Sequence, residues 1–132
     1  MSADSADPGR GSAALDAAVR RSLEGLTAAL VLEDLGDDRF GTGVEEGRFT
    51  RVFGGQMVAQ ALMAAAATAP DRQPASLHAY FVAAGRPGDD LRIDVERVRD
   101  GRSLSVRQVT VHQGPRTLLS ALVCFADGPT EP

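Results

Sequence analysis

The residues best suited to chemistry are Gly54, Gly55 and Gln56, which open a long apolar segment. Two glycines at a helix start leave backbone N–H groups that no side chain obstructs and that have no intrahelical partner. The positive end of the helix dipole lies at the same place, so these groups suit an anion or a developing oxyanion. A tight turn into a buried helix explains the glycine pair equally well, because glycine has a permissive backbone.

A histidine further along the chain is the best candidate for a general base. His78 stands in an alternating segment that places it on the same strand face as Tyr80, which we expect to contact the substrate. Imidazole suits proton transfer because its ordinary pKa lies near neutrality. The competing interpretation is a structural histidine, which is favoured because the sequence offers no paired acid to orient the ring. Asp100 is better explained as a turn residue than as that acid.

Other polar side chains are open to two interpretations each. Gln56 either orients a water molecule or caps the helix, and Ser103 and Ser105 either bind a substrate or are exposed strand serines. Cys124 lies among apolar residues, which predicts a buried, unreactive thiol. No spacing of His, Cys, Asp or Glu indicates a metal site, and we predict no cofactor. Four arginines around one hairpin either meet phosphate groups or form a solvated polar face: Arg97, Arg99, Arg102 and Arg107.

The stretch from Arg51 to Ala67 is interpreted as a loop, the glycine pair and then a long apolar helix. Alanine, the best helix former, dominates it. The side opposite its apolar stripe carries only Gln60 and small alanines. We therefore expect a buried helix that a sheet can approach closely. The stripe consists of residues at helical spacing, which are Met57, Val58, Ala61, Leu62 and Ala65.

A helix and a hairpin precede this element. Alternation over residues 30–35 and 39–44, around a turn at Gly36–Asp38, predicts two paired strands. An apolar face predicts a helix over about residues 13–28 with Ser12 as its cap. That face consists of Leu15, Val19, Leu23 and Leu26.

After a break at residues 70–74, alternating segments predict a meander of strands. They cover residues 76–84, 91–96, 103–112 and 117–125, and the Asp100-Gly101 pair marks a hairpin turn. The last segment is almost continuously apolar, so we expect a central strand covered on both faces. Helices and strands do not alternate regularly, which favours an α+β fold with an antiparallel sheet. A long central helix wrapped by such a sheet is the hotdog fold.

Length and composition fit one domain with one core. The chain has 132 residues and a formal net charge of −4, which argues against a nucleic-acid partner. One cysteine forms no internal disulfide, no apolar run is long enough to span a bilayer, and no signal-peptide pattern opens the chain. We expect a cytoplasmic protein without membrane contact. We expect a disordered tail over 1–11, one domain over 12–127 and a short tail over 128–132.

Three motifs give the chain a family resemblance, which are VFGGQ at 52–56, SLHAYF at 76–81 and RDGRS at 99–103. Together they resemble the N-terminal hotdog domain of the acyl-CoA thioesterase II family, over about residues 30–125. Members of that family usually carry two hotdog domains, and their catalytic Asp, Ser or Thr, and Gln lie in the second. None of those residues is carried over here, so the chain is similar to a single-hotdog version.

The resemblance implies hydrolysis of an acyl thioester, carried by coenzyme A or a carrier protein, to a free acid. We expect His78 and Gln56 to act on the thioester. The residues expected to bind it are Gly54, Gly55, Tyr80 and Ser103. An exposed sheet edge is expected to pair two copies, with the acyl tunnel near Gly55 and His78.

Two alternatives use the same fold. The first is a non-catalytic subunit that binds acyl thioesters, or half of a split double hotdog that forms a heterodimer with a second hotdog chain. It is favoured because residues 56–70 contain no Asp or Glu, where related hotdog enzymes often carry a base. The second, a hotdog dehydratase, is disfavoured because no His is paired with an acid.

Overall fold

Two helices and six strands make up the fold in a computed structural model that describes residues 8–43, 54–86 and 88–128. The helices are α1 (Pro8–Ala29) and α2 (Gly54–Ala67). The strands are β1 (Glu33–Gly36), β2 (Arg39–Gly41), β3 (Gln73–Phe81), β4 (Arg92–Asp100), β5 (Leu104–Gln113) and β6 (Arg116–Ala126).

The strands form one antiparallel sheet in the order β1-β2-β4-β5-β6-β3. Helix α2 contacts β3, β4, β5 and β6 and lies against one face of this sheet, which we call the inner face. The arrangement confirms the predicted α+β hotdog fold with a long central helix. Strand β3 pairs only with β6 and therefore forms one end of the sheet.

Small residues let α2 approach the sheet closely. Ala61, Ala64 and Ala65 are completely buried, and the predicted apolar helix is confirmed from Gly54 to Ala67. The sheet side of this core consists of side chains that alternate along β4, β5 and β6 with residues of the opposite face. They are Ile93, Val95, Val109, Val111, Leu119, Ala121, Val123 and Phe125.

The expectation that Gln60 lies on the outer side of α2 is wrong. This side chain is only 1% exposed, and its Nε2 donates a hydrogen bond to the carbonyl oxygen of Ala29 at 2.9 Å. Its Oε1 has no hydrogen-bond partner among the described residues. The prediction rested on the polarity of the glutamine side chain. In the structure, Gln60 instead links the end of α1 to α2 through its hydrogen bond to Ala29.

Helix α1 is longer than predicted and its apolar face is not covered. It begins at Pro8, where proline is well tolerated, so the predicted cap at Ser12 is wrong and residues 8–11 of the predicted tail are helical. Leu15, Val19 and Leu23 are each about half or more exposed. The described residues that contact α1 belong mainly to α2. The division of the chain into one domain with two tails stays a prediction.

The first hairpin is confirmed, but its strands are shorter than predicted: they cover Glu33–Gly36 and Arg39–Gly41, residues 30–32 and 42–43 are not strand, and Val44 lies outside the described residues. Strands β1 and β2 are joined through Asp37 and Asp38, whose φ angles are 54° and 58°. Two consecutive left-handed residues make the turn type that matches the twist of a hairpin, and Asp tolerates this conformation better than most residues. The second predicted hairpin, at Asp100-Gly101, is also confirmed between β4 and β5.

Two strand predictions need correction. Strand β3 covers 73–81 rather than 76–84, and it includes Pro74. Proline has no N–H, which an end strand accommodates because an N–H on its outer edge is not needed for pairing. Strand β6 is central in order but not covered on both faces. Leu122 is 46% exposed and Cys124 is half-buried rather than buried, because α2 covers only the inner face. Neither described helix is long and apolar enough to cross a membrane.

Candidate functional site

The start of α2 keeps its predicted geometry. Gly54 is the first described residue of α2, and Gly55, which follows it, is exposed. The first N–H groups of a helix have no intrahelical carbonyl to bind, so this end presents donors together with the positive end of the dipole. Gln56 lies half-buried in the same turn. The three residues therefore come together as one small donor-rich surface.

An aromatic ring lies against this helix start. A Cβ atom on Gly54 would lie 3.0 Å from Cε1 and 3.2 Å from Cζ of Phe81. Such distances are shorter than ordinary van der Waals contact, so glycine is what allows the ring to approach the backbone. Phe81 is nevertheless 60% exposed. It places an apolar surface directly beside the donors.

The structure separates His78 and Tyr80 from this surface within one chain. Leu77 and Ala79 pack against the core and Phe81 contacts α2, so these residues occupy the inner face. Alternation places His78 and Tyr80 on the outer face, where both are exposed and their ring centroids are 4.8 Å apart. The predicted site with Gly55 and His78 together is therefore not formed in a single chain.

Ser103 lies at the other end of the helix. It is exposed in the turn between β4 and β5, and Arg72 donates hydrogen bonds to the carbonyl oxygens of Gly101 and Arg102 in that turn at 2.7 and 2.6 Å. Arg72 follows α2 closely, and a helix of 14 residues is about 20 Å long. Ser103 is thus remote from Gly54, and the proposed substrate contact is not brought to the glycine pair.

A buried arginine stabilises the end of α2. Arg107 is 1% exposed, and its guanidinium donates to the hydroxyl of Thr68 at 2.7 Å and to the carbonyl of Thr68 at 3.2 Å. It also binds Asp100 at 2.7 Å. A cation at a helix C-terminus complements the dipole and the unpaired carbonyls there. The suggestion that Arg107 belongs to a solvated face, or meets phosphate groups, is therefore wrong.

The chain matches known thioesterases along most of the fold just described. The family model of the acyl-CoA thioesterase N-terminal domain matches residues 46–126. The chain belongs to this family. It is 40% identical over 104 residues to acyl-CoA thioesterase 2 of Haemophilus influenzae, covering 78% of this chain and 36% of that protein. It is 39% identical over 113 residues to human acyl-coenzyme A thioesterase 8, covering 81% and 34%.

Solved structures give the same assignment. The tesB protein of Mycobacterium avium subspecies paratuberculosis superposes with a TM-score of 0.77 at 33% identity, covering 84% of this chain and 45% of that one. The acyl-CoA thioesterase II TesB2 of Mycobacterium marinum superposes with a TM-score of 0.72 at 28% identity, covering 82% and 40%. The chain spans about a third of the length of the curated relatives that it matches.

The thioesterase domain holds its hairpins together with ion pairs that the sequence did not reveal. Arg97 binds both carboxylate oxygens of Asp38, at 2.8 and 3.2 Å, which ties the β1–β2 turn to β4. The hydrogen bond from Arg97 lowers the pKa of Asp38. Hydrogen bonds from Arg107 and then Ser105 lower the pKa of Asp100. Asp100 therefore anchors a network in addition to marking a turn.

These pairs predict a loss of stability in acid. A carboxyl whose pKa is lowered in the folded state stabilises the fold above its ordinary pKa of 3.8, and this contribution disappears as the pH falls below that value. We expect the urea midpoint to fall between about pH 5 and about pH 3, and to fall less steeply in the Asp38→Asn variant. The matched control is Asp71→Asn, because Asp71 makes no ion pair among the described residues. Equal slopes in wild type and Asp38→Asn would contradict the prediction.

A paired histidine and acid exist, although the sequence indicated none. His112 Nε2 lies 2.9 Å from Asp94 Oδ2, and its Nδ1 lies 3.2 Å from the carbonyl oxygen of Gly114. Both ring nitrogens are therefore occupied, and the pair lies on the outer face, away from α2. The β4–β5 register could have revealed the His112–Asp94 pair. It sets His112 opposite Arg92, and Asp94 lies two residues after Arg92 on the same face of β4. No group of His, Cys, Asp or Glu suited to a metal ion occurs among the described residues.

Proposed function

We propose that this domain takes part in the hydrolysis of an acyl thioester to a free acid and coenzyme A. The observation that carries the proposal is the match of residues 46–126 to the acyl-CoA thioesterase N-terminal domain. Relatives that are named acyl-CoA thioesterases and about 40% identical support the same reaction. The compartment we propose is the cytoplasm, in keeping with a chain that has a single cysteine.

The proposed contribution of this domain is to bind the thioester and stabilise the oxyanion. Attack of water on a thioester carbonyl places negative charge on oxygen, and fixed N–H donors lower the energy of that state. The N–H groups at Gly54 and Gly55 are suited to this task, and we assign to Gln56 the role of orienting the water or the thioester. The exposed Phe81 beside them excludes water from one side of the reacting carbon.

The base that activates water is proposed to come from a second hotdog domain. Residues 56–70 contain no Asp or Glu, and His78 faces away from α2 within its own chain. Strand β3 ends the sheet with one edge unpaired among the described residues, and such an edge favours pairing with another strand. We propose that a second hotdog adds to the sheet there, either as another copy of this chain or as a different one.

The mass of the purified 132-residue chain in solution tests self-pairing. We expect light scattering after size-exclusion chromatography to give twice the mass of one chain, because the outer edge of a nine-residue strand offers backbone donors and acceptors, with Pro74 supplying no donor. The mass of one chain at micromolar concentration would contradict self-association through β3. A second hotdog chain mixed with the protein would then be the remaining source of a partner.

A non-catalytic role is the second candidate, and one observation favours it. Among the described residues, the acids near α2, such as Asp71 and Asp100, lie at its C-terminal end, remote from the glycine pair. A domain whose described residues place donors but no base at the helix start is suited to binding an acyl thioester while another domain performs the attack. This candidate predicts binding of acyl-CoA without turnover by the isolated chain.

Release of free thiol from acyl-CoA substrates of increasing chain length distinguishes the two candidates. The assay uses the purified chain alone, with a thiol-reactive dye and a no-enzyme blank. Turnover above the blank that is lost in the Gly55→Pro variant supports hydrolysis at the α2 start. Acyl-CoA binding without turnover supports the binding role. Neither turnover nor binding would contradict both.

A further inference from the structure

We propose that Phe81 is a specificity-determining residue that contacts the first carbons of the acyl chain beside the thioester. This inference rests on the proposed function, because it assumes that the thioester binds at the start of α2. It concerns a residue to which the oxyanion chemistry alone assigns no role, since an aromatic ring donates no hydrogen bond to the reacting oxygen.

The first step is the position of the ring. Phe81 is the last residue of β3 and lies on the inner face, as its contact with Gly54 shows. Backbone hydrogen bonds hold the chain just after it, because the N–H groups of Val82 and Ala83 both donate to the carbonyl oxygen of Leu118, at 2.7 and 3.3 Å. The ring is therefore carried by an ordered strand end rather than by a free loop.

The second step is the unusual exposure of the ring. Inner-face residues earlier on β3, Leu77 and Ala79, are half-buried against the core, whereas Phe81 is 60% exposed. An aromatic side chain that keeps most of its surface in water loses the main benefit of burial, which is about 25 cal/mol per Å² of apolar area. A ligand with an apolar segment would recover that benefit at this position.

The third step is the surface that continues from the ring. Val58 and Leu62 on α2 are only partly buried and pack at the margin of the core. They lie four and eight positions after Gly54, a spacing that brings helical residues to the same side of α2 as Gly54. An acyl chain whose carbonyl is held at the helix start thus meets apolar side chains along this flank. Phe81 stands first in that row, where the chain leaves the thioester.

The test compares ligands that differ only in the acyl segment. Non-hydrolysable S-octyl-CoA thioether and free coenzyme A are titrated into wild type, Phe81→Ala and Phe81→Leu by isothermal titration calorimetry. We expect Phe81→Ala to weaken S-octyl-CoA binding about tenfold and free coenzyme A less than twofold. Phe81→Leu, which keeps an apolar side chain, is expected to lie between wild type and Phe81→Ala.

The control is Leu122→Ala, which removes an exposed apolar side chain from the outer face, where Leu122 pairs with His78. It is expected to leave both affinities within twofold. One outcome is that wild type binds S-octyl-CoA and that Phe81→Ala keeps the same preference for S-octyl-CoA over coenzyme A. That outcome would overturn the role of Phe81 but not the proposed function. The role of Phe81 is likewise overturned if Phe81→Ala converts a dimer to a monomer and changes nothing else. No binding of either ligand by wild type would overturn the proposed function and this inference with it.

Discussion

Replacing Arg107 by methionine is expected to lower the free energy of unfolding by about 3 kcal/mol. Methionine fills the space of the aliphatic stem but supplies no donors. The carbonyl oxygens of Thr68 and Arg99 then lose their partner, and the first of these lies at the buried C-terminal end of α2. A buried acceptor left without a donor costs about 1–3 kcal/mol, so the losses at the buried hydroxyl and carbonyl oxygens of Thr68 dominate the effect.

The measurement is urea unfolding followed by circular dichroism. The matched control is Arg116→Met, since Arg116 is exposed at the start of β6 and makes no ion pair among the described residues. It is expected to change stability by less than about 0.5 kcal/mol. Arg107→Lys keeps the charge but lacks the planar fork, so it is expected to restore only part of the loss. A loss below about 1 kcal/mol in Arg107→Met would show that the network is not a main source of stability.

The inward position of Arg107 could be predicted from the alternation of residues along β5. Residues 105, 107, 109 and 111 alternate along β5, and all four are buried. Val109 and Val111 therefore mark the inner face, and Arg107 falls in step with them. The charge of Arg107 suggested a side chain in solvent, whereas its position in the alternation indicated a side chain in the core. Type prevailed in the prediction because the partner that neutralises the charge, Asp100, could be recognised only once the hairpin register was known.

Local signals predicted the elements, and only long-range packing decided their environment. The turns at Asp37-Asp38 and Asp100-Gly101 were predictable because a few adjacent residues determine a hairpin turn. The burial of Gln60 was not, since its partner is the carbonyl of Ala29, which lies 31 positions earlier. The open face of α1 follows the same logic. An apolar stripe predicts a helix, but which surface covers it depends on contacts that periodicity does not contain.

The candidate site shows the same division. The helix start at Gly54 was predicted from the glycine pair and the apolar segment that follows it, and both are local. The predicted phase of His78 was right, because the sequence assigned it to one face with Tyr80 and opposite Leu77. Leu77 packs against the core, so the face of His78 is the outer one. The expected acyl tunnel near Gly55 and His78 lies between two subunits, so that position stays a prediction.

Replacing Gly55 by proline is expected to lower kcat/KM for acyl-CoA hydrolysis by about a hundredfold or more, if the chain hydrolyses acyl-CoA alone. Proline removes one N–H donor at the position where the oxyanion is proposed to bind. It is tolerated in the first turn of a helix because the N–H there has no intrahelical acceptor. The far-ultraviolet circular dichroism spectrum is therefore expected to match that of wild type, which separates loss of a donor from loss of the helix.

Two variants make this result interpretable. Gly55→Ala keeps the N–H group at an exposed position, so it is expected to retain activity within about threefold. His78→Ala distinguishes a catalytic His78, as predicted from the sequence, from an outer-face histidine, as the structure shows it. If His78 is the catalytic base, its loss lowers activity about a hundredfold or more, whereas loss of an outer-face histidine lowers it little. Loss of activity in His78→Ala with a mass unchanged from wild type would mean that a second subunit brings this histidine to the α2 start. Retained activity in Gly55→Pro would remove the glycine pair from the mechanism.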